Sequence, residues 1–453
     1  MRADNFDLTT SIGRSNQRKK KILIAASSSI FYKIITVGTG LISVPLSMNY
    51  LGVERFGIWM ICTSILSFIA FADFGLGNGL LNAVSKNDGL DKHEDTNKYV
   101  SSVFFILLSI SILIGIVMFS IFPHVSWEKV FNVTSNIAVD ESSWVILVLT
   151  LVIMISLPLG VVQKIQIGYQ QTHINNIWLS VGSIFGLAGV LISIYFEAGL
   201  PWLIGSIMGG PIIANIFNGI KLFFYDRPYL LPSIKYFRID IGREMIKLGF
   251  IFFLLQIFSL IANVADNIII AQMLGASSVS TYAIAKKVFI LTQLSQYFIV
   301  PLWPAFNEAM ARKEYQWAKD TLRRVLKISM LVGVLCALPI LFFGDQIVEY
   351  WVNGAVTPSF YLMLGLFFWT FLTNYGGSMA VFLNNNDLVH KQLIIIGLAS
   401  ISSVVFEVIL CYWYGIEGII YGVILGHLIF FVVPSYRLAF GSLDRLIKGK
   451  ASE

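Results

Sequence analysis

Twelve apolar stretches, each long enough to cross a bilayer, follow one another along the chain at about 24–48, 56–82, 99–122, 144–168, 174–196, 201–224, 246–272, 279–304, 324–344, 358–383, 391–413 and 416–438. A transmembrane helix needs about 17–25 predominantly apolar residues. Backbone in hydrocarbon must satisfy its own hydrogen bonds, so continuous runs of this length read as helices and not as the short alternating strands of a barrel. The composition agrees, with 56% hydrophobic and 13% charged residues, against about 45–50% and 25% in soluble domains. The expected fold class is all-α: a polytopic membrane protein of twelve transmembrane helices with no soluble domain of any size.

The basic residues divide by side. The N-terminal tail and the loops after the even-numbered spans carry 27 of the 32 Lys and Arg, whereas the opposite loops hold only Arg55 and Lys129. Basic loops stay cytoplasmic, so both termini are expected there, and the net charge of +6 is topological and not a nucleic-acid signal. Residues 1–21 read as a polar tail with no cleaved signal peptide. Residues 225–245 read as a cytoplasmic linker and 439–453 as a second tail. The external loop around 124–143 contains Asn132-Val133-Thr134, a glycosylation tripeptide of the kind that arises often by chance. Cys62, Cys336 and Cys411 lie in apolar runs, with no spacing that suggests a disulfide or a metal site.

An internal repeat is visible. Tyr50 to Trp59 (YLGVERFGIW) and Met273 to Tyr282 (MLGASSVSTY) both follow an odd-numbered span and open the next, and they align at an offset of 223 residues. The offset splits the spans into an N-lobe at 22–224 and a C-lobe at 246–438. Six spans per half give both halves the same orientation, so the expected axis lies along the membrane normal, with the substrate site between the halves.

Ionised side chains inside the spans narrow the function. Lys33, Asp73, Asp266, Lys286, Lys287 and Glu407 all fall within apolar runs. A charge at mid-bilayer costs about 2.5–3.5 kcal/mol on insertion scales, so together they would cost about 15–20 kcal/mol facing lipid. They must therefore face a wet cavity or one another. Polar residues at helical spacing favour a cavity: Ser29, Lys33, Thr36, Gly40, Ser43, Ser47 and Tyr50 in span one, and Gln256, Ser259, Asn263, Asp266 and Asn267 in span seven. Span two adds Asp73, Gly77, Asn78 and Asn82, and span eight Tyr282, Lys286 and Gln293. Bland readings stand beside these. Lysines near a boundary snorkel, Asp73 can pair with a neighbouring helix, Glu407 and His427 lie off any polar stripe and read as structural pairing, and Arg55 can cap an interface. Gly182-xxx-Gly186 and Gly418-xxx-Gly422-xxx-Gly426 read as close helix contacts, and Pro158, Pro301 and Pro304 as kinks.

No GxxxxGK[ST], HExxH or GxSxG is present, so the sequence offers no P-loop, zincin or serine-hydrolase chemistry.

Three segments carry a family resemblance: Tyr50-Leu-Gly-Val-Glu-Arg-Phe-Gly-Ile-Trp59, Phe71-Ala-Asp-Phe-Gly-Leu-Gly-Asn-Gly79 and Gly168-Tyr-Gln-Gln-Thr-His-Ile-Asn-Asn176. With Asp266 to Gly275 and Pro301 to Glu308, the chain resembles the polysaccharide-transporter branch of the multidrug/oligosaccharidyl-lipid/polysaccharide exporters, and within it the Wzx-type repeat-unit flippases. The resemblance implies two six-helix lobes around a cavity. It implies a non-enzymatic transporter that carries undecaprenyl-diphosphate-linked oligosaccharide from the cytoplasmic to the outer leaflet of a bacterial inner membrane. It implies no cofactor, coupling by proton or sodium ion, and as partners membrane lipid, a polysaccharide polymerase and a chain-length regulator. For the cationic cavity the candidates are Lys33, Lys286, Lys287 and Arg55; for cavity polarity or ion coupling they are Asp73, Asp266, Asn263, Asn267 and Asn78. A cation-coupled multidrug exporter of the same superfamily and an integral-membrane polymerase or ligase are the alternatives.

Overall fold

The computed structural model describes residues 7, 9–133, 135–351, 357–385 and 387–451; of 53, 64–70, 263, 276, 277, 291, 351, 450 and 451 it describes the backbone alone. Thr134 of the glycosylation tripeptide and the side chain of Asn263 lie outside the described residues. Among the described residues there is no strand. Among those residues, ten helices are long and apolar enough to cross a membrane, eleven when the bent pair Ser278–Val288 and Thr292–Ala311 is taken as one. The span expected at 56–82 is helical but broken at 73–75. The chain is an all-helical, multi-pass membrane protein. It forms two compact units, one of Lys20–Phe250 and one that joins the chain up to Lys19 with Ile251 onward.

In the first unit, α1 (Ser11–Gly52) ends where Gly52 takes φ 73° and ψ 171°. That region is strained for any residue with a Cβ. The helix resumes as α2 (53–72) and breaks again where Phe74 and Gly75 take φ 48° and 74°. Asp73 seals this break: its Oδ1 accepts from Gly75 N at 2.8 Å and its Oδ2 from Gly77 N at 3.2 Å. The carboxylate thus satisfies N–H groups that would otherwise be orphaned at the start of α3 (Leu76–Gly89) and sits at the positive end of its dipole. Next come α4 (His93–Ile121), α5 (Asn136–Gly168), α6 (Thr172–Tyr195) and α7 (Leu200–Ile220). The glycines of α6 are contact points, as expected: a methyl on Gly182 would lie 2.6 Å from Pro211 Cα, and one on Gly186 3.1 Å from the Ile207 carbonyl oxygen. Trp59, Cys62, Leu149, Leu203 and Ile204 belong to one buried cluster. Residues of the expected linker at 225–245 are docked on α4: Asn97 donates to the Tyr229 carbonyl, Ser101 Oγ accepts from Ser233 N at 3.2 Å and Ser102 Oγ from Arg238 N at 3.1 Å.

The second unit takes up α8 (Ile239–Leu274) beyond Phe250. Gly275, 223 residues after Gly52, has nearly the same backbone, φ 89° and ψ 167°. It opens α9 (Ala276–Val288), which runs into a tighter 3₁₀ stretch, Phe289–Ser295, and the span bends by 46° there. The bend therefore precedes Pro301 and Pro304, and Pro301 stands at the N-cap of α10 (Leu302–Ala311). Then follow α11 (Tyr315–Trp351), α12 (Phe360–Leu383), α13 (Val389–Tyr414), α14 (Ile416–His427) and α15 (Val433–Ala451). The α14 glycines meet α13 backbone to backbone: methyls on Gly422 and Gly426 would lie 2.6 Å from Glu407 Cα and 2.7 Å from Ser403 Cα.

The start of α1 belongs to this second unit. Arg18, only 1% exposed, bonds Glu308 through Nε at 2.7 Å and Nη2 at 3.0 Å, and Glu314 through Nη1 at 2.5 Å. The Trp317 ring lies 4.6 Å from its Cζ.

Candidate functional site

Three spans of the second unit bring ionisable groups together. Tyr282 and Lys286 are one helical turn apart, so α9 presents both on one face toward Asp266 of α8. Tyr282 OH donates to Asp266 Oδ2 at 2.7 Å, and Lys286 Nζ donates to the same oxygen at 2.8 Å. Asp266 is 1% exposed and Tyr282 is fully buried. The Lys286 side chain keeps 31% of its surface. Asp266 Oδ1 is buried and has no hydrogen-bond partner. Glu407 of α13 is 0% exposed, both of its oxygens are unpartnered, and it lies close enough to interact electrostatically with Asp266 and Lys286.

Beside this cluster lies a pocket of about 290 Å³. Its lining includes Asn267 of α8, Lys286 and Lys287 of α9, Thr292 and Gln293 from the 3₁₀ stretch, and Trp369, Thr370 and Thr373 of α12. Adjacent residues on a helix point about 100° apart, yet both lysines line it. The lining thus includes two lysines, two amides and an indole, while the hydroxyls of Thr292, Thr370 and Thr373 already donate to the Phe289, Leu366 and Thr370 carbonyls and leave only lone pairs for a ligand. This donor-rich set suits an anionic ligand bearing hydroxyl groups.

Apart from Asn263, whose side chain is outside the described residues, the other expected residues lie in the first unit. Arg55 is engaged there: its Nη1 is 3.2 Å from Glu141 Oε1, and its Nε donates to the Leu51 carbonyl at 3.1 Å. Lys33 is exposed on α1. Asp73 caps α3, and Asn78 Oδ1 accepts from Lys164 Nζ at 2.7 Å. Much of the α1 stripe is packing within the unit. Ser43 and Ser47 are buried, Asn176 Nδ2 donates to Ser29 Oγ at 2.9 Å, and Tyr50 OH donates to the Ala198 carbonyl at 2.8 Å. Small hydroxyl side chains at helical spacing permit close helix contact as readily as they wet a cavity.

Sequence reasoning placed Glu407 in a structural pair and Lys164 among the loop cations, and it did not single out Trp369, Thr370 or Thr373. Glu407 had one usable signal, a carboxylate in an apolar run. The α12 residues had none, because a Trp and two Thr in a membrane helix are ordinary.

The pattern of the polysaccharide biosynthesis protein family matches residues 23–310. The chain belongs to that family. The match takes in Asp266, Lys286 and Lys287, whereas Trp369 and Glu407 lie beyond it. Over 417 residues this family member is 25% identical to the "Putative O-antigen transporter" of Salmonella typhimurium, covering 89% of this chain and 93% of the relative. It is 23% identical over 446 residues to the "Putative O-antigen export protein" of Yersinia pseudotuberculosis, covering 94% and 98%. Its fold is that of the MATE transporters: the crystal structure of a MATE P26A mutant superposes with a TM-score of 0.80 at 17% identity, covering 95% of this chain and 97% of that one.

Proposed function

We propose that this protein flips undecaprenyl-diphosphate-linked oligosaccharide repeat units, of O-antigen or capsule and exopolysaccharide, from the cytoplasmic to the outer leaflet of the bacterial inner membrane by alternating access. The observation that carries the reading is that Lys286 and Lys287 line one pocket with Trp369 and the threonines of α12. A diphosphate bears about two negative charges. Opposite unit charges 4 Å apart attract by about 4 kcal/mol at an effective dielectric constant of 20. Lysine is a flexible point charge, suited to passing a headgroup along. The hydroxyls and the indole suit the sugar that follows the diphosphate.

The polyprenyl tail stays in lipid while the headgroup crosses. An inside-negative potential favours outward movement of an anion by about 2.3 kcal/mol per charge per 100 mV. The bias of Lys and Arg toward one set of loops supports a cytoplasmic position for both termini. The enzymes that build the lipid-linked unit supply the substrate, and a polymerase with its chain-length regulator consumes it. On this reading the protein is a transporter and performs no bond chemistry. The MATE-like fold supports a multidrug exporter as the second reading, but adjacent ammonium groups in the pocket repel the cationic drugs such a carrier would export.

The test replaces Lys286 and Lys287 together with Ala and measures surface polysaccharide at matched protein levels. The expected result is loss of export. Undiminished export removes both lysines from the mechanism.

A further inference from the structure

Among the described residues of the second unit, three carboxylate oxygens are buried without a hydrogen-bond partner: Asp266 Oδ1 and both oxygens of Glu407. An ionised carboxylate removed from water costs several kcal/mol unless it is paired and hydrogen-bonded. Asp266 has compensation in Tyr282 and in Lys286. Glu407 has none. Facing the pair are Tyr282 and Lys286 of α9 and His427 of α14, whose Nδ1 lies 3.0 Å from the Val423 carbonyl and 3.1 Å from Ser403 Oγ. Lys286 is the only cation of that set outside the imidazole, and Asp266 already neutralises it.

We infer that Asp266 and Glu407 form a proton-binding pair whose occupancy is set by Lys286, holding a single proton while the lysine is docked on Asp266 and a second when an anionic headgroup draws the lysine into the pocket. The inference rests on the headgroup reading of that pocket. With Lys286 docked, ionised Asp266, charged Lys286 and neutral Glu407 sum to zero. When the ammonium leaves for the diphosphate it keeps all its protons, and its contact with Asp266 Oδ2 breaks. Asp266 would then stay buried with only the Tyr282 hydroxyl as partner. A proton taken from water onto the Asp266 carboxylate restores neutrality. The proton cannot come from Glu407, which would be left ionised with no partner at all. Headgroup binding and proton uptake therefore promote each other.

The test uses the full-length protein in lipid nanodiscs with farnesyl diphosphate as probe. Proton uptake on binding is followed with a pH indicator in weak buffer. The probe's own titration is common to every variant, so the difference between variants isolates the protein. Wild type should take up about one proton more per bound probe than Asp266→Asn, and its affinity relative to that variant should rise up to tenfold per unit fall in pH. Asp266→Asn should bind the probe more tightly than wild type at neutral pH, and His427→Gln should keep the wild-type uptake. A protonated-carboxyl infrared band present in wild type should vanish in Glu407→Gln. Equal uptake in wild type and Asp266→Asn, loss of uptake in His427→Gln, or absence of the Glu407 band overturns the inference while leaving the headgroup site standing. Failure of wild type and Asp266→Asn to bind the probe at any pH overturns the headgroup reading and this inference with it.

Discussion

Lys286 Nζ stands 2.8 Å from Asp266 Oδ2, one end of the pair 31% exposed by its side chain and the other 2%. The amine is thus held by a buried carboxylate, and the same residue lines the pocket. Lys287, its neighbour in sequence, is exposed and lines the same pocket. The two lysines therefore carry different structural burdens, and this separates the predictions for each.

Replacing Lys286 with Ala strands the Asp266 carboxylate with Tyr282 alone. Leaving a buried hydrogen-bonding group unsatisfied costs about 1–3 kcal/mol, and more when the group is charged. Lys287→Ala removes an exposed group, and its effect should stay within about 0.5 kcal/mol. Thermal unfolding of the detergent-solubilised variants checks this: Lys286→Ala should melt clearly below wild type and Lys287→Ala beside it.

Arg18 is one of the basic residues of the N-terminal tail, yet it is fully buried between Glu308 and Glu314. Removing one partner of a buried ion pair costs about 3–5 kcal/mol. Arg18→Ala should therefore lower folded yield and melting temperature far more than Lys19→Ala, which removes an exposed side chain. Fluorescence-detected size-exclusion chromatography of the two variants reads the difference.

Gly422 has no room for a side chain, since a methyl there would meet Glu407 Cα at 2.6 Å. Overpacking typically costs about 1–3 kcal/mol, and more where backbone must move. Gly422→Val should not accumulate as folded protein. Gly441→Ala, where nothing lies within 4 Å, should accumulate normally on the same expression blot.

Trp369 lines the pocket, with its ring 4.9 Å from that of His427. If it supports the sugar next to the diphosphate, Trp369→Ala should weaken binding of a lipid-linked oligosaccharide by about 0.5–1.5 kcal/mol, the scale of an aromatic contact. Binding of a bare polyprenyl diphosphate should change less. Trp369→Phe should restore most of the loss. Titration of both ligands against the three proteins gives the comparison.

The spans were legible because hydrocarbon imposes a single solution on a long apolar run. The turns at Gly52 and Gly275 were legible as an aligned pair, and both take nearly the same left-handed geometry. Lys286, Lys287 and Asp266 were legible because a charge in an apolar run demands an explanation. The bend at Phe289–Ser295 was not, since no proline or glycine stands in it and the tightening is a property of packing. Asp73 looked like a cavity carboxylate, and its role at the start of α3 depends on a chain break that the apolar pattern conceals. Asp266 and Glu407 are 141 residues apart in the chain, and no spacing rule joins them.

The most direct test of the central claim is the sidedness of the lipid-linked oligosaccharide in cells that lack this protein, read with a membrane-impermeant reagent that labels sugar on the outer leaflet. The account predicts that intact repeat units accumulate facing the cytoplasm and become labelled only after the membrane is permeabilised. Accumulation of labelled, outward-facing units would contradict it and point to a later step such as polymerisation or ligation.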